Sequence, residues 1–344
     1  MNKRWICSDV WMDILPSFDH AQLGLNLALL SDRFDVLVDA HFNGKSELII
    51  WREIIIRKDK GPKAKMSVWV DGKWVAFPMP DRPLPNKIRF KDLQIEYIDH
   101  SVIEFLRSNK KIWERNGTNL DLYIEAKDDQ PIWDVFASEI WPFFAPDIRQ
   151  LYFPGGDYLD NLRRRISPTF LTNLKHLNSI DSGHLLPDGI ADDGPNATVG
   201  QALSKWLHTP SKNGQPKEFR SYFAEINNWF DNHKQTFLRA TTSVSYKIPI
   251  FYYKTTMPIE PFELVNERTN EKLTLTKERN RGDGIRVFLL MKRCPIIITE
   301  TAAVQKDENS DDNLNNVKFT FWGGINCIGP LSPPAEEEKE EADE

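Results

Sequence analysis

Few residues of this chain have the types and spacing that catalysis requires. The triplet Asp99-His100-Ser101 contains the residue types of a catalytic triad, but adjacent residues on one segment do not give triad geometry. Asp99 is better explained as the cap of a helix start. The sequence has no phosphate-binding glycine loop and no H-E-x-x-H, C-x-x-C or G-x-S-x-G motif. Its histidines lack metal-ligand spacing, so we predict no catalytic residue, no cofactor and no metal.

Two other features have both a structural and a functional interpretation. Cys294 lies between Arg293 and Pro295, where a nearby cation lowers a thiol pKa, but a buried structural cysteine at a strand end is the simpler interpretation. Residues 163–165 are three consecutive arginines. They form either a solvated helix face or an anchor for an acidic or phosphorylated partner, because arginine binds phosphate through two hydrogen bonds.

The charge of the chain excludes several classes of partner. The net charge is −6, and the last ten residues, AEEEKEEADE, contribute all of it. The remaining body is neutral, whereas nucleic-acid binding and attachment to a membrane surface both require a basic surface. We therefore expect neither nucleic acid nor a membrane as a partner.

The compartment is inferred from the start of the chain and from its cysteines. The segment from Met1 to Phe18 carries charges and no apolar signal-peptide core, and no stretch is long and apolar enough to span a membrane. The three cysteines, an odd number placed far apart, suit a reducing compartment. The sequence therefore favours a cytoplasmic or nuclear location.

Residues 1–43 are predicted to form a short helical module. Apolar residues recur at helical spacing from Val10 to Val38, and Pro16 is expected to end or kink the first helix. Three helices this short bury little surface on their own. The module is therefore either a cap on the domain behind it or a docking surface for another protein.

Residues 44–85 are predicted to form strands and a stiff connector. A run rich in β-branched residues comes first. Asp71-Gly72 lies between alternating apolar residues, which predicts a type I′ hairpin. Several prolines then lead to a boundary near residue 85.

Residues 86–255 contain a candidate repeat. Leu93, Leu122 and Leu151 begin strand-like stretches at equal intervals along the chain, and Leu177 begins a looser fourth one. Aspartates at a fixed offset are expected to cap the helices that follow, namely Asp99, Asp128 and Asp157. Thr198 is expected to cap a later helix. A strand, a cap and a helix at a constant period are typical of leucine-rich-repeat-like solenoids, so we predict a degenerate α/β solenoid.

The remainder of the chain is predicted to close this solenoid. Residues 256–330 are rich in strands and favour an antiparallel, β-rich cap. Residues 331–344 are expected to be a disordered acidic tail. The predicted fold class is thus α+β with α/β repeats: a three-helix module, a solenoid and a β-rich cap.

The N-terminal block resembles the start of an F-box. Ile6, Cys7 and Asp9 stand at the positions of that family's Leu-Pro-x-Glu motif, from which Cys7 and Asp9 depart. Asp32 departs from the basic residue that is usual near the family's closing stretch. Two C-terminal segments, which begin at Glu271 and Leu289, are similar to segments of the F-box families expanded in nematodes.

The resemblance implies an adaptor of a Skp1–cullin–F-box ubiquitin ligase, a subunit without catalysis of its own. The N-terminal helices would bind a Skp1-like protein, and the repeat region would hold a protein substrate, as yet unidentified, for ubiquitin transfer. Apolar side chains left over from self-packing are expected to contact the partner. The residues predicted to share these two tasks are Ile6, Val10, Ile14, Leu15, Phe18, Leu23, Leu27 and Phe34.

Two alternatives stay open beside the adaptor. One is a non-catalytic solenoid scaffold that binds a partner but engages no ligase. The other is an enzyme with an unrecognised site, which would show a concave pocket with converging polar side chains.

Overall fold

The chain is described here from a computed structural model. The structure describes residues 6–44, 49–61, 63–70, 72–85, 88–110, 112, 119–123, 131–211, 214–222, 228–251, 259–280, 286–296 and 317–322. Those up to residue 123 belong to one compact unit, and those from 131 to 322 belong to a second. The predicted acidic tail, Asp128 and Cys327 lie outside the described residues.

The first unit begins with short helical segments. Pro16 lies in a 3-10 turn directly after the first helix, so the predicted end of that helix is confirmed. Asp19 caps the second helix and Ser31 caps the third, each by accepting a hydrogen bond from a backbone N–H. The segments are α1 (Ser8–Ile14), a 3-10 turn (Leu15–Ser17), α2 (His20–Gln22), a π turn (Leu23–Leu27), a 3-10 turn (Ala28–Leu30) and α3 (Asp32–Asn43).

The sheet of the first unit combines parallel and antiparallel pairs. Its elements are β1 (Ile49–Lys58), β2 (Ala64–Val70), β3 (Lys73–Pro78), β4 (Ile88–Ile95), α4 (His100–Ser108) and β5 (Asn119–Tyr123). The strand order is β5-β4-β1-β2-β3, with β5, β4 and β1 parallel and β1, β2 and β3 antiparallel. A hairpin at the predicted position is confirmed, because Val70 pairs with Lys73 and Gly72 has a φ of 80°. Its predicted type I′ stays a prediction, since Asp71 lies outside the described residues.

The second unit also has a mixed sheet with helices between its strands. The strand order is β10-β11-β12-β9-β8-β7-β6-β13. The pairs from β13 to β9 are parallel, and those from β9 through β12 to β10 are antiparallel. The elements are α5 (Ile132–Val135), a π turn (Phe136–Ile140), α6 (Trp141–Phe144), a 3-10 turn (Ala145–Asp147), β6 (Ile148–Phe153), α7 (Gly156–Arg165), α8 (Phe170–Asn173), β7 (Ser179–Ser182), α9 (Val199–Leu207), β8 (Lys217–Tyr222), α10 (Trp229–Arg239), β9 (Tyr246–Phe251), β10 (Phe262–Asn266), β11 (Glu271–Asn280), β12 (Arg286–Pro295) and β13 (Val317–Trp322).

The predicted fold class, a three-helix module followed by a leucine-rich-repeat-like solenoid and a cap, is wrong. The chain is a mixed α/β protein. The strand register shows that the equal spacing of leucines in the sequence does not correspond to a structural repeat. Leu93 lies opposite Leu120 in the neighbouring strand, and Ile180 lies opposite Phe219. The second of these intervals is clearly longer than the first. The paired strands that the structure describes therefore do not follow one repeat.

Neighbouring regions of the predicted architecture also share sheets. β1, expected in the connector, pairs in parallel with β4, expected in the repeat. β12 is antiparallel to its neighbours, as expected of the C-terminal region, but it pairs with β9 and so extends a sheet instead of closing a solenoid. Mixed sheets of this kind carry antiparallel strands beside a parallel core.

Two of the predicted helix caps are confirmed and one is not. Asp99 accepts the backbone N–H of Val102 at the start of α4, and Thr198 accepts that of Gln201 at the start of α9, so both caps are confirmed. Asp157 is not a cap, because it lies inside α7 and the N-cap position is Gly155. A cap depends on residues within one helical turn, and such signals are readable from sequence.

A buried ion pair organises the antiparallel side of the second unit. Arg293 of β12 and Glu271 of β11 are both fully buried, and Arg293 Nη2 lies 2.6 Å from Glu271 Oε2. The other carboxylate oxygen accepts the Val244 N–H at 2.7 Å and the Ser243 hydroxyl at 2.9 Å. The guanidinium also donates to the Thr242 carbonyl at 2.9 Å. The pair therefore ties two strands to the segment that precedes β9.

We predict that Glu271→Gln lowers the free energy of unfolding by about 3–5 kcal/mol at neutral pH, because the Arg293 charge loses its anion while still buried. The matched control is Glu263→Gln in β10, which removes the 3.9 Å surface pair with Lys272 and should cost about 1 kcal/mol or less. Urea unfolding at pH 7 measures both. Equal stability of Glu271→Gln and the unmodified chain would contradict the prediction.

The same pair predicts a pH dependence. Burial alone raises the Glu271 pKa, but hydrogen bonding to Arg293 and its charge outweigh burial and hold that pKa below its ordinary 4.5. A lowered folded-state pKa gives stability that is complete above 4.5 and is lost as the pH falls through the folded value. The difference in unfolding free energy between the unmodified chain and Glu271→Gln should therefore shrink below about pH 4.5, and a constant difference would contradict this assignment.

Candidate docking surface on the N-terminal helices

Four large apolar side chains at the start of the chain face solvent. Val10 and Ile14 are one helical turn apart on α1, where residues four apart are neighbours on one helix face. Ile6 lies four residues before Val10, just ahead of the helix, and Phe18 lies four residues after Ile14, just beyond it. Their exposed fractions are 46% for Ile6, 47% for Val10, 36% for Ile14 and 38% for Phe18. α1 contains no fully buried residue, and its apolar Val10 and Ile14 are exposed.

Other apolar residues of the same block face inward. Leu15 and Leu23 are completely buried, as are Val38 and Phe42 on α3. The block therefore has a core of its own, in which the fully buried residue nearest α1 is its C-cap residue, Leu15.

The eight predicted contact residues thus fall into three groups. Ile6, Val10, Ile14 and Phe18 are exposed, and Leu15 and Leu23 are buried. Leu27 and Phe34 are half-buried. The ring of Phe34 meets that of Trp11 edge-on, with centroids 4.9 Å apart.

Polar contacts of α3 with the residue before α1 and with the segment before β4 help fix this arrangement. Arg33 of α3 donates a hydrogen bond to the Ile6 carbonyl, and Asp32 is paired with Arg82 in the segment before β4. Asp35 lies near the same arginine. Burial raises the Asp35 pKa, and the charge of Arg82 opposes that rise. These polar contacts hold the helices in place while leaving Val10 and Ile14 outward.

The predicted contact residues omit two exposed apolar residues of the same block, Leu30 and Val36, each 67% exposed. Leu30 ends a 3-10 turn next to the cap of α3. Val36 lies on the side of α3 away from buried Leu37 and Val38. A signal for Val36 was present, because it falls outside the apolar period of its helix.

Asp99 has a structural role. Its Oδ1 accepts the Val102 N–H at 3.1 Å and the Ser101 hydroxyl at 2.6 Å, and its Oδ2 accepts the Ala64 N–H at 2.8 Å. The carboxylate is therefore occupied by a helix start and by β2. The helix-cap interpretation of the Asp99-His100-Ser101 triplet is confirmed.

The three consecutive arginines are not one solvated face, and that interpretation is wrong. Arg163 is buried and donates to the carbonyls of Ala197 at 2.6 Å and Gly194 at 2.9 Å. Arg164 pairs with Asp160 within α7. The third, Arg165, pairs with Asp134 at 2.9 Å. All three guanidinium groups are used inside the second unit.

The remaining candidate groups give no further site among the described residues. Cys294 lies half-buried near the end of β12, and both it and the exposed Cys7 are free thiols. Within the described ranges, no cluster of three or more His, Cys, Asp or Glu side chains has the spacing to hold a metal ion. None of the helices described there has the length and apolar character to cross a bilayer.

The chain was compared with protein-family models, with curated proteins and with solved structures, and none of the three comparisons gives a match.

We predict that exposed and buried members of the block differ sharply in stability effects. Leu15→Ala should lower the unfolding free energy by about 2–5 kcal/mol, since it empties a fully buried site. Ile14→Ala, one residue away and exposed, should change it by about 0.5 kcal/mol or less. Thermal and urea unfolding of the two variants measures this. A large loss for Ile14→Ala would show that Ile14 is part of the core.

Proposed function

We propose that this chain is a substrate-recognition adaptor of a Skp1–cullin–F-box type ubiquitin ligase. In this proposal the N-terminal helices bind a Skp1-like protein, and the rest of the chain holds a protein substrate. The observation that carries the proposal is the exposure of Ile6, Val10, Ile14 and Phe18. These are apolar positions of the segment that resembles an F-box.

The energetics of these side chains favour a protein partner. Single exposed apolar residues are ordinary on a protein surface, but four large ones between Ile6 and Phe18, flanking or lying on a helix with no buried residue, are not. Covering a partly exposed Val, Ile or Phe gains on the order of 1 kcal/mol each. A helix face that presents side chains at spacing i and i+4 fits an apolar groove of a partner.

The departures from the family pattern do not remove this surface. Asp32, found where a basic residue is usual, is engaged by Arg82 within the chain. Cys7 and Asp9 are exposed and contact each other, with the Cys7 Sγ 3.7 Å from the Asp9 carboxylate. They would lie at the polar rim of the interface, where substitutions change affinity less than at its centre.

In this proposal the substrate is held by the mixed α/β region that follows the N-terminal helices, and not by a solenoid as the sequence had predicted. The proposal places the complex in the cytoplasm or nucleus, in keeping with the two free thiols, Cys7 and Cys294. A scaffold that never engages a ligase is the competing function, and the binding experiment separates the two.

We expect the full chain to bind a purified Skp1-like protein, and Val10→Asp combined with Ile14→Asp to weaken that binding tenfold or more. Buried carboxylates without partners are costly at the centre of an apolar interface. Biolayer interferometry with the immobilised Skp1-like protein gives the dissociation constants. Circular dichroism and thermal unfolding show whether the variant remains folded.

The matched control is Ile190→Asp in the second unit. Ile190 is an apolar side chain with 68% exposure, so its substitution introduces one carboxylate at an exposed apolar site outside the proposed interface. It should leave the affinity unchanged. Absence of binding by the unmodified chain, or equal loss with Ile190→Asp, would overturn the adaptor proposal, and binding of other proteins without the Skp1-like protein would favour the scaffold.

A further inference from the structure

A pocket of about 370 Å³ lies entirely within the second unit. It is formed by α8 and the segment up to residue 178, by the end of α9, and by the first residue of β8. This volume is in the range of small-molecule sites, roughly 300–1,000 Å³. Among the described residues that line the pocket, the charged ones are all basic and none is Asp or Glu. These basic residues are Arg149, Lys175, His176 and Lys217.

Lys217 is the most unusual of these groups because it is buried. Its side chain is 5% exposed, and its ammonium donates to the Trp206 carbonyl. The ammonium also lies 4.9 Å from the centroid of the Trp206 ring. Among the described residues, no carboxylate forms an ion pair with it. Burial lowers the pKa of Lys217 to about 8, the direction expected when a cation loses water without gaining an anion.

Helix capping explains only part of this arrangement. Trp206 is in the last turn of α9, and a lysine that donates to a terminal carbonyl stabilises a helix end. An ammonium has three N–H donors, however, and capping by Lys217 uses one. An exposed lysine would cap α9 without the cost of burial. Capping also does not account for Arg149, Lys175 and His176 around the same space.

A second donor without a partner lies at this pocket. The indole Nε1 of Trp206 is buried and has no hydrogen-bond acceptor among the described residues. Other polar lining groups are used by the fold: Thr172 donates to Asp193 at 2.9 Å, and the Thr209 hydroxyl donates to Lys205 at 2.7 Å. At this pocket, Lys217 and Trp206 therefore both have N–H donors without an acceptor among the described residues.

We propose that this pocket binds a small anionic metabolite through its phosphate or carboxylate group, with Lys217 as the buried anchor and Lys175 at the rim. Such a group supplies the acceptor oxygens and the negative charge that the pocket lacks. The small volume and the neutral charge of the body favour a small molecule over a polyanion. The proposal does not depend on binding of a Skp1-like protein, since it concerns different residues.

The test is a titration of the full chain with inorganic phosphate, sulfate and succinate in turn, at pH 7 and constant ionic strength. Isothermal titration calorimetry gives affinities, and thermal unfolding gives the stabilisation that ligand binding must produce. We expect saturable binding of at least one anion, and Lys217→Met should weaken it tenfold or more. Phosphate and sulfate binding without succinate binding would identify a phosphate-type ligand, and the reverse would identify a carboxylate.

Two further variants keep the result interpretable. Lys175→Ala changes an exposed residue, which does not endanger folding, and should weaken binding about threefold or more. Lys205→Met removes an exposed cation of α9 that does not line the pocket and should leave the affinity unchanged. Equal binding by Lys217→Met and the unmodified chain, equal losses in all three variants, or no saturable binding of any of the anions would overturn the proposal. Saturable binding only of a phosphorylated peptide would also overturn it.

Discussion

The buried pair of Arg293 and Glu271 is the constraint on which the antiparallel side of the second unit depends. Two charges removed from water are tolerated only when geometry and hydrogen bonds compensate their desolvation. Here the carboxylate has four short donors and the guanidinium reaches the Thr242 carbonyl. The rings of Phe237 and Tyr246 cover the guanidinium at 5.3 and 6.0 Å. The end of α10, β9, β11 and β12 consequently meet in one arrangement, because any other would leave a charge without a partner.

Buried polar side chains that donate hydrogen bonds to more than one backbone carbonyl also fix loops elsewhere in the chain. Buried Arg163 is held by backbone carbonyls of the loop before α9. Buried Asn266 donates to the carbonyls of Phe237 and Ala240 at the end of α10. In both cases one polar side chain satisfies backbone groups that would otherwise be buried without partners. Lys217 departs from this pattern, since its ammonium has one carbonyl and, among the described residues, no carboxylate. This contrast is what separates the pocket from the structural polar clusters around it.

Local signals were readable from the sequence, and strand partners were not. The hairpin at Gly72 and the caps at Asp99 and Thr198 depend on residues within one turn, so their chemistry is visible in a short window. The partner of a strand is set by distant packing. β4 pairs with β1 although a hairpin separates them in sequence, and the interval between paired strands varies with the length of the connection. Likewise, burial of Arg163 depends on carbonyls of a loop that is distant in sequence, which no local pattern reports.

The candidate docking surface shows a related limit. The four apolar residues that form it were found from sequence, yet their directions were not, because Ile14 and Leu15 are adjacent residues of similar character with opposite burial. In a short helix, apolar residues at helical spacing indicate that one face is apolar, but they do not indicate which molecule covers that face. The π and 3-10 turns that follow α1 shift the period further. The core of the block is complete without Val10 and Ile14. The proposed docking surface accounts for large apolar side chains at these positions, which folding of the block does not require.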